Sequence, residues 1–304
     1  MKTKNEVMLT DRINSNSGHV NVLGMRLVLP GNSKVEFSEG AMNILIEKRE
    51  TRAKKDILQA LEEGIERSRP DSVLVSGGID SSILAAIAAR KSKNVKLVTA
   101  GTADSEDMHY ADLLAKDLGK GLYTAIINEE SVYNAVRGLK SLDIDMYSII
   151  MGITEFLAME KAKESGCRRI ISGIGSDELF FGFYRHKKMQ KDLLKSFREE
   201  RLFYMPAFDL WRLNSMASKM RVSVSFPYLE DDLIDIVMSK DINEIAEGYD
   251  KALLRSIGKK IGLNEAIIER KKKAMQYGSG AVKMLRRLSG KKGYKNVGEF
   301  IKGI

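Results

Sequence analysis

Short apolar runs alternate with segments of helical periodicity between residues 73 and 172, and this alternation restricts the fold more than any other feature of the sequence. The predicted strands lie at 73–75, 95–100, 122–127 and 169–172, and the predicted helices at 81–90, near 106–118 and within 131–165. Repeated strand–helix units favour a parallel sheet with helices on both faces. We therefore predict an α/β fold in which ligands bind beyond the carboxyl ends of the strands.

The segments on either side of this core differ from it. Alternating apolar residues from Val20 to Leu29, followed by Pro30, predict a β-hairpin in a short N-terminal extension, residues 1–50. We expect residues 51–304 to form one domain whose α/β core runs to about residue 185. Strand signals fade after residue 186, and amphipathic stretches such as KDLLKSFREERLF predict a mainly helical C-terminal part.

Composition excludes several classes of protein and site. The chain has 304 residues, 43% hydrophobic and 30% charged, which is typical of a soluble globular protein. No apolar stretch follows the charged start and no segment approaches a membrane span, so we expect a cytoplasmic protein without a membrane partner. Cys167 is the only cysteine and the three histidines are far apart, which argues against disulfides and against a zinc site.

The net charge of +9 raises the question of an anionic partner. Short basic runs collect late in the chain, at 270–273, 286–287 and 291–292. A solvated basic face explains the two-residue runs equally well, because such runs are weak evidence for nucleic-acid binding. We do not expect a nucleic-acid partner.

Residues 76–82 read SGGIDSS and connect the first predicted core strand to the start of the next predicted helix. Gly77 and Gly78 can turn backbone N–H groups toward a phosphate, and the following helix adds its positive N-terminal end. Asp80 fits beside a phosphate only if a cation lies between them, and Mg²⁺ prefers carboxylate and phosphate oxygens. A tight turn with Asp80 or Ser81 as the helix N-cap is the structural alternative.

This stretch resembles the pyrophosphate-binding loop, SGGxDS, of the N-type ATP pyrophosphatases. The resemblance implies the adenine nucleotide α-hydrolase-like (PP-loop) fold, and it implies enzymes that split ATP between the α- and β-phosphates and adenylate a substrate oxygen. The superfamily includes asparagine, GMP, NAD and tRNA-lysidine synthetases. The loop alone therefore does not identify the reaction.

Residues 172–184 read SGIGSDELFFGFY and follow another predicted strand. They resemble the asparagine synthetase pattern SGEGSDELFGGY, and the pairing with SGGIDSS is far more specific than either block. The similarity extends to FPYLEDDLID, which resembles VPFLDxxFLD, and to RKKKAMQYGSG, which resembles RQKEQFSDGVG. From about residue 55 to 290 the chain resembles the synthetase domain of the asparagine synthetases, without their glutaminase domain.

The resemblance implies roles for individual residues. Asp80 and Asp177 would bind Mg²⁺, and with Lys272 they would form the catalytic set, Lys272 stabilising charge as the α-phosphate is attacked. The implied ATP-binding residues are Val75, Ser76, Gly77, Gly78, Asp80, Ser81, Ser82, Ala100, Ser172, Gly173 and Lys272. The implied substrate-binding residues are Ser176, Glu178 and Glu230.

Three departures from the family pattern concern the second half of the reaction. Residues 1–50 hold neither a cysteine nor room for a glutaminase domain, so nitrogen is expected from free ammonia, a separate glutaminase subunit or an amine substrate. Ile174 replaces the glutamate that accepts a proton from ammonia, as also happens in β-lactam synthetase relatives, which close an amide within one substrate. Ser225 and Glu230 replace an arginine and an aspartate, so substrate contacts are expected to differ.

The leading hypothesis is an ATP- and Mg²⁺-dependent carbon–nitrogen ligase that forms an acyl-adenylate and pyrophosphate, most simply from aspartate and ammonia. The first alternative is amidation or amide closure of a different acid. The second is a tRNA-modifying adenylating enzyme, although tRNA-lysidine synthetases do not carry the SGIGSDELF and RKKKAMQYGSG blocks. The third is a non-catalytic nucleotide-binding subunit, and a homo-oligomer is compatible with any of these.

Overall fold

The computed structural model describes residues 55–304 apart from 143, 184–185, 187 and 247–250. Of the first 54 residues it describes the backbone of four strands, which form two antiparallel pairs. The pairs are β1 (His19–Val22) with β2 (Met25–Val28) and β3 (Asn32–Ser38) with β4 (Ala41–Glu47). The side chains of these strands lie outside the described part of the chain, and the domain division near residue 50 stays a prediction.

The core is a five-stranded parallel sheet, as the alternation of strands and helices predicts. Its strands are β5 (Ser72–Leu74), β6 (Lys96–Gly101), β7 (Leu122–Ile126), β8 (Arg169–Ile171) and β9 (Ser223–Ser225), in the spatial order β7-β6-β5-β8-β9. The prediction that strands end near residue 186 was wrong for β9. This strand has the sequence SVS and pairs only with β8, so it carries no apolar run that sequence periodicity could detect.

Helices account for most of the rest. Those of the α/β core are α1 (Ile57–Ser68), α2 (Ile79–Lys91), α3 (Glu106–Asp117), α4 (Glu129–Lys140) and α5 (Met146–Glu164). The later ones are α6 (Ser176–Leu179), α7 (Lys191–Tyr204), α8 (Asp209–Met220), α9 (Asp231–Ser239), α10 (Ile242–Ala246), α11 (Ala252–Lys260), α12 (Glu265–Glu269), α13 (Met275–Gly278), α14 (Ala281–Lys291) and α15 (Val297–Gly303). Across the described residues, none of them combines the length and apolar character that a membrane span needs.

Helices cover both faces of the sheet because successive strand residues point in opposite directions. Leu97 packs in a core with residues of α1, α2, α9 and α11, whereas its neighbour Val98 packs in a second core with residues of α4, α5, α8 and α14. Ile171 and Ile170 divide in the same way. The predicted fold class, an α/β parallel sheet followed by a mainly helical part, is confirmed.

The strand order reverses between β5 and β8. From β5 the chain moves outward through β6 to β7, then returns to place β8 on the other side of β5. The loops that leave β5 and β8 therefore start side by side at the same end of the sheet. In open α/β sheets this reversal creates the crevice in which ligands bind.

A buried ion pair ties α5 to α8 behind this edge. Arg212 Nε lies 2.9 Å from Glu155 Oε2, and both side chains are almost fully buried. Arg212 also donates to Asp209 Oδ1 at 3.0 Å. Two ionised groups in a dry core stabilise only as long as each keeps its partner.

We expect Glu155→Ala to lower the free energy of unfolding by about 3 kcal/mol, the lower end for a broken buried pair because Arg212 keeps Asp209. Glu164→Ala on the same helix is the control. Glu164 is 60% exposed and pairs with Lys161, so its loss should cost less than about 1 kcal/mol. Urea unfolding would contradict this account if the two variants were equally stable.

Candidate active site

The SGGIDSS segment forms a compact turn between β5 and α2. Gly77 has φ +68°, and a side chain there would overlap Tyr110 of α3. Within the turn, Ser81 Oγ accepts from Ser76 N–H at 3.2 Å and donates to the Gly78 carbonyl at 3.2 Å. The N-cap of α2 is Gly78, and no side chain caps the helix. The first-turn N–H groups thus belong to an uncapped helix N-terminus, which favours an anion.

The first part of the second predicted block, residues 172–178, lies against this turn. A side chain on Gly173 would be 3.5 Å from Asp80 Cβ, so the glycine allows the two loops to touch. Gly175 has φ +96° and is the N-cap of the short helix α6, which carries Ser176 and Asp177. Strand-order reversal thus brings together two acids that are 97 positions apart in sequence, Asp80 and Asp177.

Two lysines connect these carboxylates. Lys272 Nζ lies 2.8 and 2.7 Å from the two oxygens of Asp177 and 3.9 Å from Asp80 Oδ2. Lys251 Nζ lies 2.6 Å from Asp80 Oδ2, 2.5 Å from Asp177 Oδ1 and 3.0 Å from Ser176 Oγ. The family resemblance predicted Lys272 in the site but did not predict Lys251.

The lysines keep the site ionised. Burial by itself would raise the pKa of Asp177, but Lys251 and Lys272 outweigh it and hold that pKa well below its ordinary value. Burial would lower the pKa of Lys272, but Asp177 and Asp80 outweigh it and hold that pKa above its ordinary value. Both groups are therefore charged at neutral pH.

The donor set fits a magnesium ion that enters with phosphates. Asp80 Oδ1 is buried and has no hydrogen-bond partner among the described residues, which leaves one carboxylate oxygen for a further cation. Across the described residues, no group of three or more His, Cys, Asp or Glu side chains forms a metal cluster. Mg²⁺ in nucleotide sites is typically held by one or two carboxylates plus substrate phosphates. Asp80 and Asp177 match that pattern.

A buried arginine joins the Lys272 segment to the first loop. Arg270 Nη1 donates to the Ser76 carbonyl and Nη2 lies 2.5 Å from Asp107 Oδ1 at the start of α3. Its guanidinium also lies over the Tyr110 ring, 4.5 Å from the centroid. Arg270 thereby sets the position of Lys272 relative to the turn that starts at Ser76.

The other predicted ATP-binding residues lie at strands β5, β6 and β8 and in helix α2. Val75 follows β5 and donates its N–H to Val98 at 2.8 Å, and Ala100 is buried within β6. Ser172 follows β8 and donates its N–H to the Ser225 carbonyl at 3.1 Å. Ser82 is fully buried in α2. Their contact with nucleotide stays a prediction.

The predicted substrate residues separate into two groups. Ser176 contacts Lys251 and lies inside the site. Glu178 is buried, and its burial, with a smaller effect of Asp177, raises its pKa to about 7 against the influence of Arg201, 3.3 Å away. Glu230 instead pairs with Arg67 of α1 at 2.9 Å. The structure therefore does not bring Glu230 into contact with the two acids.

Two residues of the second block, Ile174 and Phe181, differ from the family pattern. Ile174 is half-buried against the core that contains Val98, so it supplies no proton acceptor. Phe181, with φ +54°, stands at the first glycine of the adjacent pair near the end of the pattern SGEGSDELFGGY. A left-handed conformation is strained for a bulky residue, and such strain concentrates at functional sites. The buried Arg198 lies over the Phe181 ring, 5.4 Å from its centroid.

Sequence reasoning also missed the aromatic support of Asp80. Tyr228, from the FPYLEDDLID segment, is fully buried and donates its hydroxyl to the Asp80 carbonyl at 3.1 Å. Burial raises the pKa of Tyr228 well above its ordinary value, so the hydroxyl keeps its proton. The family resemblance included this segment, but only the tertiary structure shows that Tyr228 contacts Asp80.

We expect Asp107 to make stability depend on pH. Its burial raises its pKa from 3.8 to about 6, although Arg270 and Lys273 oppose this and Glu106 adds to it. The folded chain therefore holds this proton more tightly than the unfolded chain, and the resulting stabilisation is complete below about pH 4 and lost as pH rises through about 6. In Asp107→Asn this titration is absent.

The unfolding free energy of the wild type minus that of Asp107→Asn should therefore fall by up to about 3 kcal/mol between pH 4 and 7, measured by urea unfolding. A difference that rises with pH would show instead that Arg270 keeps Asp107 ionised below its ordinary pKa. A flat difference would show that neither effect dominates.

Sequence comparisons relate this chain to known proteins. The sequence profile described as Asparagine synthase matches residues 53–203 and 196–292. A protein of Methanocaldococcus jannaschii, "Putative asparagine synthetase (glutamine-hydrolyzing) 1", is 32% identical over 272 residues, which cover 75% of this chain and 50% of that protein. Asparagine synthetase B (glutamine-hydrolyzing) of Escherichia coli is 28% identical over 212 residues, 61% of this chain and 37% of the relative.

The chain thus spans half or less of the length of these curated relatives. The profile match covers well over half of the chain and includes both glycine loops and Lys272. It confirms the family predicted from the sequence, and with it a domain of the kind found in ATP-dependent carbon–nitrogen ligases. The chain therefore belongs to the asparagine synthase family.

Proposed function

We propose that this chain is an ATP-dependent amide-forming ligase that adenylates a substrate carboxylate. The observation that carries the proposal is the meeting of Asp80 and Asp177, from two glycine loops, beside Lys272 at the reversal point of the sheet. Two carboxylates, an uncapped helix N-terminus and a lysine form a site suited to the phosphates of a magnesium nucleotide. The family relationship supports ATP as the substrate.

In the first step, the substrate carboxylate attacks the α-phosphorus of ATP, and the bond to the β-phosphate oxygen breaks. The products are an acyl-adenylate and pyrophosphate. Asp80 and Asp177 would hold Mg²⁺, which when bound neutralises phosphate charge. Lys272 stays protonated because Asp177 and Asp80 raise its pKa, so it can stabilise the negative charge that develops on the phosphates.

In the second step, ammonia or an amine attacks the acyl carbon and AMP leaves. The nitrogen must then lose a proton, and Ile174 cannot accept it. Aspartate and ammonia are the simplest substrates, because the relatives compared above are asparagine synthetases. The apolar surroundings of Ile174 favour a second candidate, amidation or amide closure of a different acid. The nitrogen source, including a separate glutaminase subunit, belongs to the same proposal.

The deciding experiment measures pyrophosphate release from ATP and Mg²⁺ with aspartate and ammonium present, and then with each omitted. Release that requires aspartate, together with asparagine detected by mass spectrometry, would support the first candidate. Release with another acid from a panel of amino-dicarboxylates and amine-bearing acids would support the second. A chain that adenylates no acid in the panel would contradict the proposal.

We expect Lys272→Ala to slow pyrophosphate release by about 100-fold or more, because it removes a positioned cation from the transition state. Lys271→Ala is the matched control. Lys271 is exposed and adjacent in sequence, so its removal should change the rate by less than about threefold if Lys272 acts locally. Equal losses in both variants would assign the effect to the general charge of the basic run.

A further inference from the structure

Lys251 is the more enclosed of the two lysines in the site. Its Nζ contacts Asp80, Asp177 and the Ser176 hydroxyl, so a single ammonium bridges both loops. Its side chain is 3% exposed, whereas that of Lys272 is 33% exposed. Lys272 is thus accessible from solvent, and Lys251 is part of the interior.

The surrounding backbone is built to hold Lys251 there. Lys251 has φ +56° and is the N-cap of α11, and its carbonyl accepts from Arg255 N–H at 2.9 Å. A side chain at Gly182 would overlap both Lys251 Cε and Asp177 Oδ1. A left-handed conformation is strained for a lysine and persists where surrounding contacts enforce it.

The charges explain why such a lysine is useful. Two carboxylates that share one small site repel each other, and a cation between them offsets that repulsion. Lys251 and Lys272 together balance the charges of Asp80 and Asp177. Lys251 nevertheless leaves Asp80 Oδ1 without a partner, so it does not use the oxygen that fits a further cation.

We propose that Lys251 is a positioning residue, an internal cation that holds Asp80 and Asp177 together before the magnesium nucleotide enters. This inference rests on the proposed function, because it takes these two acids as the magnesium ligands. It adds that the site is preorganised without metal. The chain's own ammonium removes the repulsion that would otherwise separate the two loops.

The test uses thermal unfolding of the nucleotide-free protein, in EDTA and in millimolar Mg²⁺. The wild type should unfold at nearly the same temperature in both. Lys251→Met, similar in length but uncharged, should lower Tm in EDTA by about 5 °C or more and regain much of that loss in Mg²⁺. Lys259→Met, an exposed lysine of α11, should behave like the wild type in both solutions.

A second variant separates charge from packing. In Lys251→Met/Asp177→Asn one carboxylate is neutral, so the repulsion is gone and most of the Tm lost in EDTA should return without metal. A Tm deficit in Lys251→Met that neither Mg²⁺ nor Asp177→Asn reduces would overturn the inference, because the lysine would then act only by filling space. A Lys251→Met chain that fails to fold under all these conditions, alone and with Asp177→Asn, would overturn it as well.

Pyrophosphate release by the wild type is measured in parallel. If the wild type releases no pyrophosphate but the Mg²⁺-dependent rescue is present, the ligase proposal fails and the role of Lys251 stands. If the wild type is active and the rescue is absent, the role of Lys251 fails and the ligase proposal stands.

Discussion

The site depends on two carboxylates from different strands that lie within reach of the same lysine nitrogens. Asp80 and Asp177 would repel each other in a shared crevice, and Lys251 and Lys272 offset that repulsion. The lowered pKa of Asp177 and the raised pKa of Lys272 are two expressions of this one interaction. A magnesium nucleotide would enter a site that is already nearly neutral and already ordered.

Three supports hold the first glycine loop, and each comes from a different part of the chain. Arg270 binds the Ser76 carbonyl, Tyr110 packs where Gly77 has no side chain, and Tyr228 binds the Asp80 carbonyl. Arg270 is also two positions from Lys272, so the same arginine relates the lysine to the loop. A displacement of the 270–273 segment would therefore move the proposed catalytic lysine and a support of the loop together.

The two halves of the proposed reaction differ in how strongly the site supports them. The three groups that we propose for adenylation, Asp80, Asp177 and Lys272, lie in one contact network. Amide formation needs a place for the nitrogen nucleophile and a proton acceptor, and Ile174 stands where the family pattern has a glutamate. Glu178, whose pKa burial raises to about 7, is directed to Arg201 and not to the lysines. The residues proposed for activation thus match the family pattern. The position of the proton acceptor, now Ile174, is where this chain departs from that pattern.

Local patterns in the sequence predicted the strand–helix alternation from 73 to 172 and the two glycine loops with their acids, because periodicity and short motifs are properties of neighbouring residues. The family resemblance, and not a local pattern, singled out Lys272. The sequence could not reveal β9, which has three residues and an edge position, or the pairing of Glu230 with Arg67. It also could not reveal Lys251 and Tyr228 as partners of Asp80, 171 and 148 positions away. Only the tertiary structure shows these contacts. The reason is that the reversal of strand order and the packing of the C-terminal helices determine which distant side chains lie together in one charged crevice.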